Sequence, residues 1–133
     1  MRDSARSSFS YAIVRVVPRV ERGERINAGV ALFCRQQDFL GARVELDEGR
    51  LAALAPGTSP SDVRSHLEAI VRVADGDPDA GPIAALPKPE RFGWLVSPSS
   101  TIIQPSEVHT GLCEDAAATL DTLFAELVEP VGA

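Results

Sequence analysis

The sequence predicts a single α+β domain in which an antiparallel sheet of about five strands carries two main helices on one face, in the order βββ-α-ββ-α. Three observations carry this expectation. Between Ser8 and Leu46, apolar and polar residues alternate in short runs joined by short polar turns, the pattern of an antiparallel meander. Two later segments repeat apolar residues at helical spacing. A length of 133 residues suits one domain, spanning 1–133, that buries a core without metal or disulfide staples.

The first strand is read at Ser8 to Val17, rich in β-branched and aromatic residues and closed by Pro18, which has no N–H for a central ladder. The second runs from Ile26 to Arg35. Ile26, Ala28, Val30, Leu32 and Cys34 form its expected core face, and Asn27, Gly29, Ala31, Phe33 and Arg35 point the other way. After the polar turn Gln36-Gln37-Asp38, Phe39 to Leu46 alternates again, with Gly41, Arg43 and Glu45 outward. The outward residues of these two strands are mostly small or polar, so this face is expected to meet solvent or a partner.

Gly49 to Ala55 reads as a helical turn ended by Pro56-Gly57. Ser59 then caps a helix with Pro60 at its first position, and Val63, Leu67, Ile70, Val71 and Ala74 form one apolar stripe. Residues 75–90, rich in Gly, Pro and Asp, are expected to form an exposed loop. Phe92 to Val96 and Thr101 to Gln104 are read as two further strands around the turn Ser97-Pro98-Ser99-Ser100. The last helix follows Glu114 and Asp115, with Ala117, Leu120, Leu123, Phe124, Leu127 and Val128 on one face and Pro130 as terminator.

Composition narrows the function classes. The 44% apolar content and mean hydropathy of +0.01 are those of a globular protein. No apolar run reaches membrane-spanning length and the polar start MRDSARSSFS has no secretory signal, which points to the cytoplasm. Cys34 and Cys113 lack CxxC spacing and read as free buried thiols. The net charge of −6 argues against unspecific nucleic-acid binding, although residues 1–46 hold eight arginines against five acids and leave room for a local basic patch.

Two regions gather residues able to carry chemistry. Glu24 and Asn27 stand where a turn becomes a strand; they fit a metal or ligand, but such residues more often satisfy the turn's own backbone. Arg15, Arg19, Arg22 and Arg25 crowd the same region and suit bidentate capture of a phosphate or carboxylate, or loose pairing with Glu21 and Glu24. The second region, Arg91 to Gly111, holds Arg91, the only tryptophan (Trp94), the hydroxyls of Ser97 and Ser99, and His109. A serine hydrolase would need a GxSxG elbow and an orienting acid, and neither is present. His109 with Cys113 meets no established zinc spacing, and phosphate loops and dinucleotide fingerprints are missing, so no metal and no cofactor are predicted.

The blocks YAIVRVVPRVERGERINAGVALF, RFGWLVSPSSTIIQPSEVHTG and EDAAATLDTLFAELV, in this order, resemble the bacterial family DUF3037 over nearly the whole chain. The resemblance implies a protein partner, a HipA-like kinase encoded nearby, and marks Glu24, Asn27, Gly29, Trp94, Ser97, Pro98 and His109 as matching positions. Two readings follow. One is a non-catalytic protein-interaction module that uses the open sheet face, with Arg15 and Arg43, and the Arg91 to Gly111 segment. The other is a small enzyme or ligand-binding protein in which Glu24, Asn27, His109 and an arginine converge on one site.

Overall fold

The computed structural model describes residues 6–98 and 101–129. It is an α+β domain built on a five-stranded antiparallel sheet. The strands are β1 (Ser7–Val16), β2 (Ile26–Cys34), β3 (Phe39–Val44), β4 (Ile103–Pro105) and β5 (His109–Cys113); the helices are α1 (Glu48–Leu54), α2 (Pro60–Asp75), α3 (Lys88–Leu95) and α4 (Ala116–Leu127). The predicted meander is present. β3, β2 and β1 lie side by side, and β4 and β5 both pair with the remaining edge of β1.

β4 and β5 run end to end along that edge, β4 opposite Val14 to Val16 and β5 opposite Ser7 to Tyr11. Ser106 fills the break between them. Its N–H donates to the Ile13 carbonyl at 2.8 Å, and its buried Oγ accepts the Ile13 N–H at 2.8 Å, so one serine satisfies both main-chain groups that the break would leave unpaired.

The two long helices lie on opposite faces of the sheet, which corrects the expectation of a shared face. On one side Phe9, Val30, Leu32, Cys34 and Cys113 pack against Ala116, Leu120, Phe124 and Val128 of the α4 region. On the other, Ala31, Leu40 and Ala42 pack against Ala74 of α2 and Phe92 of α3, and Val14, Val16, Ile26 and Ala28 meet Leu51, Val63 and Leu67. The cause is legible in β2. Its INAGVALFC is nearly unbroken apolar sequence, as in strands buried on both faces, and a bulge interrupts its alternation.

That bulge sits where Val14 pairs with Gly29 but Arg15 pairs with Asn27, which leaves Ala28 as the extra residue. The shift turns Ile26 toward α2 and Asn27 toward α4, whereas Val30 and Leu32 beyond it face α4. Gly29 permits the close approach: a Cβ there would stand 2.6 Å from the Arg43 carbonyl and 2.8 Å from Val44 Cγ1.

The helices begin where their caps predict. Asp47, Ser59 and Asp115 accept from Arg50, Asp62 and Ala118 N–H groups at the N-termini of α1, α2 and α4. Phe92 to Val96 is a correction. The segment belongs to α3, which starts after Pro87 with Pro89 and Glu90 in its first turn and buries Arg91 and Phe92 one helical side down. The predicted strand at 101–104 falls at Ile103–Pro105, and the fifth strand is β5, where Gly111 lets the Phe9 ring lie across the ladder. Residues 75–90 hold two 3₁₀ turns, Pro78–Ala80 and Pro82–Ala85, before α3 starts, and are mostly exposed except Ala84. Among the described residues no helix is long and apolar enough to cross a membrane.

Candidate functional site: a Trp94 cleft and an open sheet edge

The register on β1 separates the residues that the sequence groups around Glu24 and Asn27. Asn27 lies opposite Arg15, and His109 lies opposite Tyr11. Four residues of extended chain put them about 13 Å apart along the strand, so no single site joins Asn27 and His109. Glu24 is engaged elsewhere. Arg22 donates to both its carboxylate oxygens, at 2.7 and 3.1 Å, and these bonds hold the Glu24 carboxyl below the usual carboxylate range, with Arg19 adding charge from the surface. Asn27 Nδ2 donates to the Leu127 carbonyl at 3.0 Å and so closes the C-terminus of α4 rather than the turn it follows.

The arginines also take separate places. Arg15 is half-buried on the α4 side, with its Nε buried and without a hydrogen-bond partner among the described residues. Arg43 is not on an open face: its guanidinium lies 4.3 Å over the centre of the Phe124 ring and donates to Asp121 at 2.9 Å. Arg91 is only 8% exposed. Its Nη1 donates to the Ala84 carbonyl at 3.2 Å, and the guanidinium occupies the space beside Gly76, the left-handed C-cap of α2 at φ +71°. A cation at a helix C-terminus is favoured by the helix dipole, so Arg91 ties the 75–90 segment to α2.

Trp94 and Ser97 share a cleft of about 420 Å³ between α2, the end of α3, β4 and Val14 of β1. Its walls are largely apolar, from Val14, Ile70, Leu95, Ile103, Pro98 and Pro105, with His66, Ala69 and Thr101 completing it. Trp94 is 50% exposed. Ser97 Oγ donates to the Gly93 carbonyl at 2.7 Å, which ends α3 in place of a further turn, and His66 Nδ1 bonds the Asp62 carbonyl at 2.8 Å. Ser99 lies outside the described residues. His66 is a cleft residue that no motif in the sequence singles out. The usable signal was its spacing, four residues before Ile70 on the same helical face.

His109 opens β5 and its ring lies tilted against that of Tyr11, 5.3 Å between centres, with Glu107 3.6 Å from its Nε2. Beyond it β5 pairs with β1 alone, and its outer side has no neighbouring strand among the described residues. Val108 and Leu112 stand 43% and 61% exposed along it. Both cysteines are buried and free. No group of three or more His, Cys, Asp or Glu is placed to hold a metal among the described residues.

No curated protein and no solved structure matches the chain. The family described as Protein of unknown function (DUF3037) matches residues 11–128, which take in all four helices, the Trp94 cleft, β5 and the sheet except Ser7 to Ser10 of β1. This protein therefore belongs to the DUF3037 family.

Proposed function

We propose that this domain is a non-catalytic interaction module that receives an extended segment of a partner protein along the outer edge of β5. The observation that carries the reading is the open edge itself, flanked by the exposed side chains of Val108 and Leu112. An edge strand offers a row of unpaired N–H and C=O groups, and main-chain pairing with an added strand supplies affinity while alternate side chains supply selectivity. Glu107 and Glu114 bracket β5 and are exposed, so the matching segment is apolar at its centre with basic residues at its ends.

The faces of β2 and β3 do not serve, because α4 covers one and α1 to α3 the other. The rival reading, an enzyme acting through Glu24, Asn27 and His109, lacks support because β1 holds Asn27 and His109 apart and Glu24 is spent on Arg22. The partner we propose, from the family resemblance, is a HipA-like kinase in a bacterial cytoplasm. Titration of the purified kinase with wild type and with Leu112→Asp tests this: the exposed substitution should leave the fold intact and weaken association at least tenfold, with hydrogen exchange slowed at the β5 amides of the wild-type complex. Equal binding by the variant would remove the edge from the interface.

A further inference from the structure

We propose that the Trp94 cleft is a separate binding site for a small, uncharged, planar molecule of the phenol class: an aromatic body carrying one hydrogen-bond donor. The cleft measures about 420 Å³, within the range of small-molecule sites, and three rigid elements form it, the sheet at Val14 and Ile103, α2 at Ile70 and α3 at Leu95. An indole left half exposed at such a rim keeps a large apolar face in water, and covering that face with an aromatic ring is favourable both by area and by offset stacking.

The polar groups decide the ligand's chemistry. The bond from His66 Nδ1 to the Asp62 carbonyl requires the proton on Nδ1, since a carbonyl only accepts, so the neutral ring keeps an unshared pair on Nε2. Ser97 spends its hydroxyl proton on the Gly93 carbonyl and likewise keeps acceptor capacity. Both groups therefore call for a donor on the ligand, whereas the indole N–H of Trp94 offers the complementary donor. Among the described residues no lysine, arginine or carboxylate lines the cleft, and the chain's net charge is −6. An anionic ligand such as a phosphate or carboxylate would find no counter-charge there.

Trp94 is the only tryptophan, so its indole N–H gives one NMR resonance that reports on the cleft without labels. The test titrates the protein with 4-methylphenol and with toluene, which has the same body but no donor. Both should move the indole resonance saturably, and 4-methylphenol should bind about five- to tenfold more tightly, the worth of one hydrogen bond. The double variant His66→Leu/Ser97→Ala, at two exposed positions, should bring the two affinities to within twofold. Ala69→Phe, also exposed, keeps Trp94 as the single tryptophan and should fill the cleft and abolish both responses while circular dichroism stays unchanged. The proposal is overturned by a resonance that neither probe moves, by a response that survives Ala69→Phe, or by a preference for 4-methylphenol that persists in His66→Leu/Ser97→Ala. Kinase binding through β5 is read independently, so its failure would leave this result standing.

Discussion

Asn27 and Leu127, 100 residues apart in the chain, are joined by a 3.0 Å hydrogen bond from the Asn27 side-chain amide to the Leu127 carbonyl. At the other end of the same helix, Gln37 Oε1 accepts the Ala116 N–H at 2.8 Å while its Nε2 donates to the Glu114 carbonyl at 3.1 Å. Two amides, one at the start of β2 and one in the turn after it, therefore clip both termini of α4, satisfying end groups that a helix leaves without internal partners.

The clips should be separable by substitution. Asn27→Ala leaves the Leu127 carbonyl unpaired in a part-buried setting and should lower stability by about 0.5 to 2 kcal/mol. Gln37→Glu keeps the acceptor for Ala116 but loses the donor to Glu114, so it should cost less than Gln37→Ala. Urea midpoints at constant m-value provide the comparison, and an Asn27→Ala protein as stable as wild type would show that water replaces the clip.

Arg43 should act on stability through α4. Its guanidinium covers Phe124 and pairs with Asp121, and both groups of the ion pair are well exposed, which keeps the charge term small. Arg43→Glu would set two carboxylates together and strip the cation from the ring, with an expected loss of about 1 kcal/mol. Adding Asp121→Arg to that variant should recover part of the loss, as a double-mutant cycle would read.

Gly23 and Gly76 both sit at φ +71°, but only Gly76 is crowded, by Arg91. Gly23→Ala should cost about 1 kcal/mol from left-handed backbone strain alone. Gly76→Ala should cost more, because its Cβ displaces the Arg91 guanidinium from the end of α2. Thermal unfolding of the two variants side by side gives the difference, and equal losses would mean that Arg91 shifts at no cost.

Glu24 should titrate below an ordinary glutamate, because Arg22 bonds its ionised form. Since the folded carboxyl is the depressed one, its contribution to stability is present above the unfolded value and is lost as pH falls through the folded value. NMR titration of the Glu24 carboxyl should show its midpoint rise in Arg22→Gln, and an unmoved midpoint would exclude the pair as the cause.

Cys34 and Cys113 should resist thiol reagents in the native state. Both are buried, and burial pushes the Cys113 thiol up, with Cys34 nearby adding to the rise. Labelling by a disulfide reagent should be complete in urea and orders of magnitude slower without it; fast labelling of the folded protein would reveal local opening of β5.

Local signals determined the elements whose causes are local. Ser59-Pro60 and Asp115 fix the starts of α2 and α4, the polar turn after Cys34 fixes the hairpin of β2 and β3, and matching blocks from Tyr11 onward carry the family. Phe92 to Val96 shows the limit of a local signal: five apolar-rich residues fit either period, and the Pro-Lys-Pro-Glu start that decides for a helix lies outside the segment. Which face each helix covers was decided only in three dimensions. Period-two alternation assumes an unbroken ladder, and the extra residue at Ala28 reverses it within one strand, turning Asn27 toward Leu127 and Ile26 toward Leu51 and Val63. The same holds for the sites. His66 and Trp94 meet because α2 and α3 pack on one side of the sheet, and Asn27 and His109 stay apart because β1 sets the register of both its neighbours. Partners so distant in the chain leave no spacing for a sequence to show, since contacts between elements are fixed by packing that no single segment encodes.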